Sequence, residues 1–395
     1  MSASQPVAQN AATPDALKAT KAGLEDVVVG TSKICFIDGK RGRLVYRGYN
    51  IDDLVNVSFE ETIHLLLFGD LPTKDQLARL KERLLAERKL PREVTAILMS
   101  LPHTGSPMAE LRTAVSLLGL YDPDANDSTP EANQRKAIRI IAQMPLLAAC
   151  IHALRNKQDL IQPSSSLGHA ANLLYMLNGK APDERLEKMF DIALTLHADH
   201  EYNASTFAAR VTAATLSDLH SAVTSAIGAL KGPLHGGANE DVMRMLISIG
   251  SIDNAEPAVR EFFSHKKKVP GFGHRVYKTM DPRATILRKL SLELGTREHE
   301  PKWIGMSDKI MDLVIKEKNL YPNVDFFSAS LYYVMPLPIE LFTPIFAVSR
   351  VVGWAAHILE QYSNNRLIRP MSEYVGTGDR AVLPIEQRTG GNASL

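Results

Sequence analysis

The sequence predicts a mainly α-helical protein with one short β-hairpin near its start, and three observations carry that reading. Beyond residue 50 the apolar residues recur at helical spacing, with helix-start signals ahead of several stretches. No strand–helix alternation appears, which argues against a parallel α/β sheet. Neither a G-x-G-x-x-G fingerprint nor a G-x-x-x-x-G-K-S/T phosphate loop is written in the chain.

In chain order, residues 1–20 are rich in Ala, Ser, Gln and Pro and are expected to form a mobile tail. Lys33–Ile37 and Arg43–Arg47 flank Asp38-Gly39-Lys40-Arg41-Gly42, which reads as a hairpin around a glycine-bearing turn. Ser58 with Glu61, and Thr73 with Gln76, form candidate capping boxes ahead of helical apolar patterns. Pro91, Pro130 and Pro282 mark further first turns. Residues 134–154 read as a core helix that Pro145 should kink. No repeat of roughly 30–45 residues is found, which weakens a helical solenoid.

With 395 residues and 45% apolar content, the chain can bury a sizeable core. Its 45 basic and 44 acidic residues are spread along the length, so neither nucleic acid nor an anionic membrane is expected as a partner. Cys35 and Cys150 are far apart, which implies neither a disulfide framework nor a thiolate zinc site. The N-terminus has no secretory pattern and no arginine before Arg41, and no run of about 18 apolar residues marks a span. A cytoplasmic location is the expectation.

Four segments stand out from the helical background. In Leu196-His197-Ala198-Asp199-His200-Glu201, His197 and His200 are three apart and are expected to share a helix face. A polar network between packed helices, or a metal site using His197, Asp199 and His200, are both open readings, and Arg210 follows nearby. In Gly232-Pro233-Leu234-His235-Gly236-Gly237, His235 sits on a tight turn at a helix N-terminus. The positive end of the helix dipole favours a neutral imidazole there, able to donate a hydrogen bond to a developing enolate. An ordinary glycine-rich cap with an exposed histidine is the alternative.

Lys266-Lys267-Lys268-Val269-Pro270-Gly271-Phe272-Gly273-His274-Arg275-Val276-Tyr277-Lys278 leads into Asp281-Pro282-Arg283. That density of cations in a neutral protein points to a phosphate or carboxylate ligand. Asp281-Pro282 reads as an N-cap and first turn, which sets Arg283 beside helix N–H donors. In Asn323-Val324-Asp325-Phe326-Phe327, Asp325 is either a plain N-cap or a carboxylate made basic by apolar surroundings.

In this order and spacing, the segments resemble the citrate synthase family. Gly232-Pro233-Leu234-His235-Gly236, Gly271-Phe272-Gly273-His274 and Asn323-Val324-Asp325 are similar to its three catalytic motifs, and the likeness runs from about Gly23 past Pro370. Gly23-Leu24-Glu25-Asp26-Val27, Tyr46-Arg47-Gly48-Tyr49 and Phe342–Arg350 look like the bacterial branch. The resemblance implies a helical homodimer, with a large domain at 21–235 and 337–395 and a small domain at 236–336 that closes over substrate. It implies catalytic roles for His235, His274 and Asp325 in joining acetyl-CoA to oxaloacetate. His200, Arg283, Arg350 and Arg369 would hold oxaloacetate, with Arg369 reaching across from the partner subunit. Three arginines exceed what a monocarboxylate could pair with. CoA would lie along Lys268, Val269, Pro270, Gly271 and Phe272, with Arg275 and Lys278 near its phosphates. No metal or redox cofactor is implied; acetyl-CoA is a substrate.

Departures from the family pattern are Pro336, where a glycine commonly follows the active-site helix, and Lys278, an arginine in some relatives. The longer N-terminal region of NADH-inhibited relatives is absent, so no such inhibition is expected. The nearest rival is a 2-methylcitrate synthase using propionyl-CoA, because one methylene discriminates by only about 1–3 kcal/mol. His274-Arg275-Val276-Tyr277-Lys278 leans toward the citrate enzyme. A metal-dependent hydrolase and a non-catalytic helical scaffold are the readings from other classes.

Overall fold

The computed structural model describes residues 22–24 and 27–388, and the tail expected at 1–20 lies outside the described residues. Near the start, β1 (Cys35–Asp38), β2 (Arg43–Tyr46) and β3 (Tyr49–Asn50) form one antiparallel sheet in that order. Cys35 pairs with Tyr46 and Asp38 with Arg43, and the Asp38 carboxylate accepts from the Lys40 and Arg41 amides to close the turn. The third strand goes beyond the hairpin read from the sequence. Arg47 at φ 49 and Gly48 at φ 96 reverse the chain at once, so two more residues pair with β2.

Sixteen α-helices follow among the described residues. Ser58 and Glu61 make a complete capping box on the helix Phe59–Phe68, as do Thr73 and Gln76 on Lys74–Ala86. Pro130 and Pro282 open their helices, while Pro91 is an N-cap just ahead of Arg92–Met99. The helix Pro130–Arg155 continues through Pro145 without a break. This helix and the stretch Ile339–Ser363 are long and apolar enough to cross a membrane, yet both are largely buried and form the centre of the core. Ile141, Phe342 and Trp354 on them and Leu111 and Phe190 from other helices are all fully enclosed. Each such side chain contributes about 1.5–3 kcal/mol by leaving water.

The helix Phe342–Ser363 can approach the 198–203 turn only because residue 353 is glycine. A Cβ there would lie 2.4 Å from the Ala198 carbonyl and 2.5 Å from the Asp199 carboxylate. Its amide instead donates to the Ala198 carbonyl at 3.1 Å. From the other side, the fully buried Tyr46 donates its hydroxyl to the Asp199 carbonyl at 2.8 Å. The small sheet and the longest C-terminal helix thus grip the same turn.

Helices Ala238–Ile249, Ile252–Ser264, Pro282–Arg297, Lys302–Lys318 and Val324–Val334 pack chiefly on one another and form a second group. Few links tie this group to the rest. Arg185 pairs with Glu293 and Arg297 with Asp183, both between exposed side chains, and the Lys278 amide donates to the Gly39 carbonyl at 2.9 Å. Where the chain leaves the group, Pro336 sits at φ 23, although its ring favours about −65°. That backbone suits the glycine the family pattern carries there. The loops bearing the chemistry lie where the two groups meet.

Candidate active site

The first segment departs from its sequence reading. The helix Glu184–His197 ends at His197, and residues 198–203 form a turn, so His197 and His200 share no helix face. Glu201 at φ 55 reverses the backbone, and Asn203 starts the next helix as its N-cap. His197 is held in the core, its Nδ1 2.7 Å from the Ala193 carbonyl and its ring edge-on to Phe346. Asp199 faces His357 at 3.1 Å, and Arg210 pairs with Glu360 at 3.0 Å. Only His200 turns toward the other motifs. Its ring lies 5.0 Å from His274 and 5.6 Å from Tyr277, and its buried Nε2 has no protein partner. Burial, and then the Arg283 charge, push its pKa well below the usual value, so it is neutral. Among the described residues, no three His, Cys, Asp or Glu side chains are arranged to hold a metal ion.

His235 lies in the turn ahead of Ala238–Ile249, as read. Gly236 is required there because a Cβ would meet the Leu230 carbonyl at 2.4 Å. The Ser205 amide donates to His235 Nε2 at 3.2 Å, and Ser205 Oγ lies 2.8 Å from the same nitrogen. Nε2 must therefore be bare, which leaves the proton on Nδ1. Burial first, then Arg350, hold the His235 pKa down at about 4. The imidazole is neutral and can donate from Nδ1.

His274 mirrors this arrangement with the opposite tautomer. The Val276 and Tyr277 amides donate to its Nδ1 at 2.9 and 3.0 Å, so Nε2 carries the proton. Burial and then Arg283 lower its pKa to about 4. Its loop is fastened to the loop bearing Asp325. The Gly273 amide donates to the Tyr321 carbonyl and the Asn323 amide to the Gly271 carbonyl, each at 2.9 Å. Gly271 at φ 78 packs so closely on Val242 and Phe326 that a Cβ would overlap both. Asn323, not Asp325, caps the helix Val324–Val334. The Asp325 carboxylate is thereby released from capping, its Oδ1 is buried without a partner, and burial raises its pKa to about 7. A carboxylate poised there is a base matched to neutral pH.

Arg283 and Arg350 stand behind these groups. Arg283 lies in the first turn of its helix, as expected, and is buried in a two-bond pair with its own N-cap, Asp281, at 3.0 and 2.7 Å. Arg350 Nε donates to the His197 carbonyl at 2.6 Å, and no carboxylate among the described residues pairs with its guanidinium. Arg369 is exposed in the irregular chain after Ser363. Lys268, Arg275 and Lys278 are also exposed, whereas Val269 and Gly271 are buried and Pro270 and Phe272 half-buried. Phe272 packs 4.5 Å from Phe326.

Sequence reasoning missed Ser205, Trp354, Tyr277 and Asp281 as parts of this constellation. Tyr277 is buried against His200 and His274 with its hydroxyl unpartnered. An Asp-Pro-Arg run signalled the Asp281–Arg283 pairing, but nothing local signalled Ser205 or Trp354.

A buried carboxylate base, two neutral imidazoles with fixed and opposite donors, and an unpaired buried arginine define a class: a helical enzyme that forms an enol-type carbon nucleophile and joins it to an anionic carbonyl compound. Comparison with known proteins agrees. The family model "Citrate synthase, C-terminal domain" matches residues 23–371. Citrate synthase 2 of Bacillus subtilis is 52% identical over 93% of this chain and 98% of its own length. The solved citrate synthase of Pyrobaculum aerophilum superposes with a TM-score of 0.86 at 41% identity, covering 93% of this chain and 95% of that one. The ternary complex of the Thermoplasma acidophilum enzyme with carboxymethyl coenzyme A and oxaloacetate gives 0.87 at 33% identity, covering 93% and 98%. A 2-methylcitrate synthase of Corynebacterium glutamicum is 41% identical over 93% of this chain and 97% of its own length. The chain belongs to the citrate synthase family. Its reaction is the condensation of acetyl-CoA with oxaloacetate, followed by hydrolysis of citryl-CoA to citrate and CoA.

Proposed function

We propose that Asp325 removes a proton from the acetyl methyl group while His235 Nδ1–H holds the thioester oxygen. The methyl proton is very weakly acidic, so base and hydrogen-bond donor must act together. His274 Nε2–H then binds the oxaloacetate carbonyl oxygen and protonates it as the enol carbon attacks. Citryl-CoA is hydrolysed with bulk water otherwise kept out. The observation that carries this reading is the Asp325 carboxylate: buried, unpartnered and raised to about 7.

His200, Arg283, Arg350 and Arg369 are the proposed oxaloacetate ligands. In support, His200 Nε2 lacks a partner and Arg350 lacks a counter-ion among the described residues. Arg369, exposed here, is proposed to reach the partner subunit's site. The exposed apolar side chains Leu120, Tyr121, Val211 and Leu216 support a homodimer, as does the bare run of Met371, Tyr374 and Val375 after Arg369. CoA is proposed to follow residues 268–272, with Arg275 and Lys278 at its phosphates. The 236–336 segment is proposed as a small domain that closes over substrate, in keeping with the separate packing of its helices. These steps need only proton transfers and anion binding, so no metal or redox cofactor enters them. A cytoplasmic location is proposed from the two free thiols.

The test is CoA release from acetyl-CoA with and without oxaloacetate. Release should require oxaloacetate and fall about 10²–10⁴-fold in Asp325→Ala. A variant within tenfold of the parent would remove Asp325 from the role of base. Running propionyl-CoA in parallel measures the preference between the two acyl groups.

A further inference from the structure

We infer that Trp354 is a positioning residue for the enol-forming step, acting through Ser205 to keep His235 in the tautomer that donates from Nδ1. The inference rests on the assignment of His235 as the donor to the thioester oxygen.

Trp354 is fully buried on the helix Phe342–Ser363, one turn beyond Arg350. Its indole N–H, which can only donate, points at Ser205 Oγ at 3.1 Å. Ser205 Oγ has two other polar neighbours, each at 2.8 Å: Asn203 Oδ1 and His235 Nε2. Asn203 Oδ1 already accepts from the Thr206 amide as the N-cap of its helix. It can therefore only accept from the serine. Toward the histidine, two hydrogen-bond patterns compete. In one, Nε2 is bare and accepts from the Ser205 amide, with the single hydroxyl proton shared between Nε2 and Asn203 Oδ1. In the other, Nε2 carries a proton and donates into a lone pair of Oγ while the hydroxyl turns to Asn203.

The indole N–H separates the two patterns. It engages the serine lone pairs and draws electron density from Oγ, making the oxygen a poorer acceptor and its hydroxyl a better donor. The second pattern, and the imidazolium it leads to, keep only the one Oγ lone pair that the indole leaves, and that is a weakened acceptor. The bare Nε2 is favoured, and Nδ1–H stays free for the thioester oxygen. Because the same helix presents Arg350 four residues earlier, one rigid element serves both the dicarboxylate and the acyl side of the reaction.

Trp354→Phe keeps the ring and removes the N–H. The enol-forming step is read alone as exchange of the acetyl-CoA methyl protons with solvent deuterium, using a dicarboxylate analogue that cannot condense. Exchange should fall about tenfold, the scale of one misplaced charge-stabilising hydrogen bond. Hydrolysis of supplied citryl-CoA and affinity for the analogue should stay within about twofold. In a Ser205→Ala background, Trp354→Phe should add no further loss, because its effect passes through that hydroxyl.

Unchanged exchange, an equal loss in exchange and hydrolysis, or full additivity with Ser205→Ala would each overturn the inference. If the phenylalanine variant does not fold, benzothienylalanine at position 354 removes the N–H from a ring of the same shape and answers the same question. His235→Ala separates the two levels of the argument. Exchange that survives it refutes the role of His235 itself, whereas exchange lost there but untouched by Trp354→Phe refutes only the role of Trp354.

Discussion

Asp325 is proposed as the base because nothing around it pairs with its carboxylate. Asn323 takes over the capping, Phe326 and Phe327 beside it are fully buried, and burial outweighs the pull of the Arg283 and Arg350 charges. The pKa raised to about 7 has two consequences. The carboxylate form is required, so kcat should climb as pH rises through about 7 and then level off. His235 and His274, held at about 4 by burial, add no limb above pH 5, and burial likewise pushes His200 well below its usual value. A rate profile flat between pH 5.5 and 8 would count against this assignment. The same shift also bears on stability. The folded state binds the proton more tightly than the unfolded chain, so stability is present at low pH and lost as pH rises from the unfolded carboxyl value toward 7. Asp325→Asn removes that loss. It should be inactive yet melt higher than the parent at pH 8, by an amount on the order of 2–4 kcal/mol. The advantage should vanish near pH 4, and equal melting at both pH values would refute it.

At the scale of elements, the site depends on how closely the helix Phe342–Ser363 meets the 198–203 turn. Gly353 sets that distance, and the helix brings Arg350 and Trp354 to opposite sides of the contact. The obstruction at residue 353 is backbone on one side and a buried carboxylate on the other, neither able to swing away. Gly353→Ala should therefore destabilise by about 1–3 kcal/mol or more, despite the better helix propensity of alanine. It should also raise KM for oxaloacetate, because His200 and Arg350 move apart. Thermal melting and a KM measurement check both parts; a more stable variant would show that the helix can retreat. The small sheet enters through Tyr46, the fully buried side chain by which it reaches that turn.

For the whole molecule, the prediction concerns the completeness of a single chain. Arg369 is exposed, whereas His200, Arg283 and Arg350, with which it is proposed to act, are buried. If each site borrows it from the partner subunit, Arg369→Ala and Asp325→Ala chains should each be inactive alone. Mixed dimers would regain one intact site, combining the base of one chain with the arginine of the other. Co-refolding equal amounts should restore about a quarter of parental activity, since half of the dimers are mixed and each has one working site of two. No recovery, with mixed dimers verified by mass, would place Arg369 in its own subunit's site or outside the chemistry.

Much of this was legible in the chain because it is local. Capping boxes, first-turn prolines and the Asp281-Pro282-Arg283 start are written in adjacent residues, and the structure follows them. His235, His274 and Asp325 were legible because glycines and caps mark the turns that carry them. Where the sequence reading erred, longer-range contacts were in control. His197 and His200 have helical spacing, but Tyr46 and Gly353 hold the turn between them from residues more than 150 positions away. Tautomers were decided only in three dimensions, since a bare Nε2 or Nδ1 follows from amides of Ser205, Val276 and Tyr277. The sequence by itself determined the helical class, the ends of its helices and the residue types at the reactive turns. Tertiary structure alone decided which side chains meet and which are left unpaired, because burial and partnership depend on every element that packs around a group rather than on its neighbours in the chain.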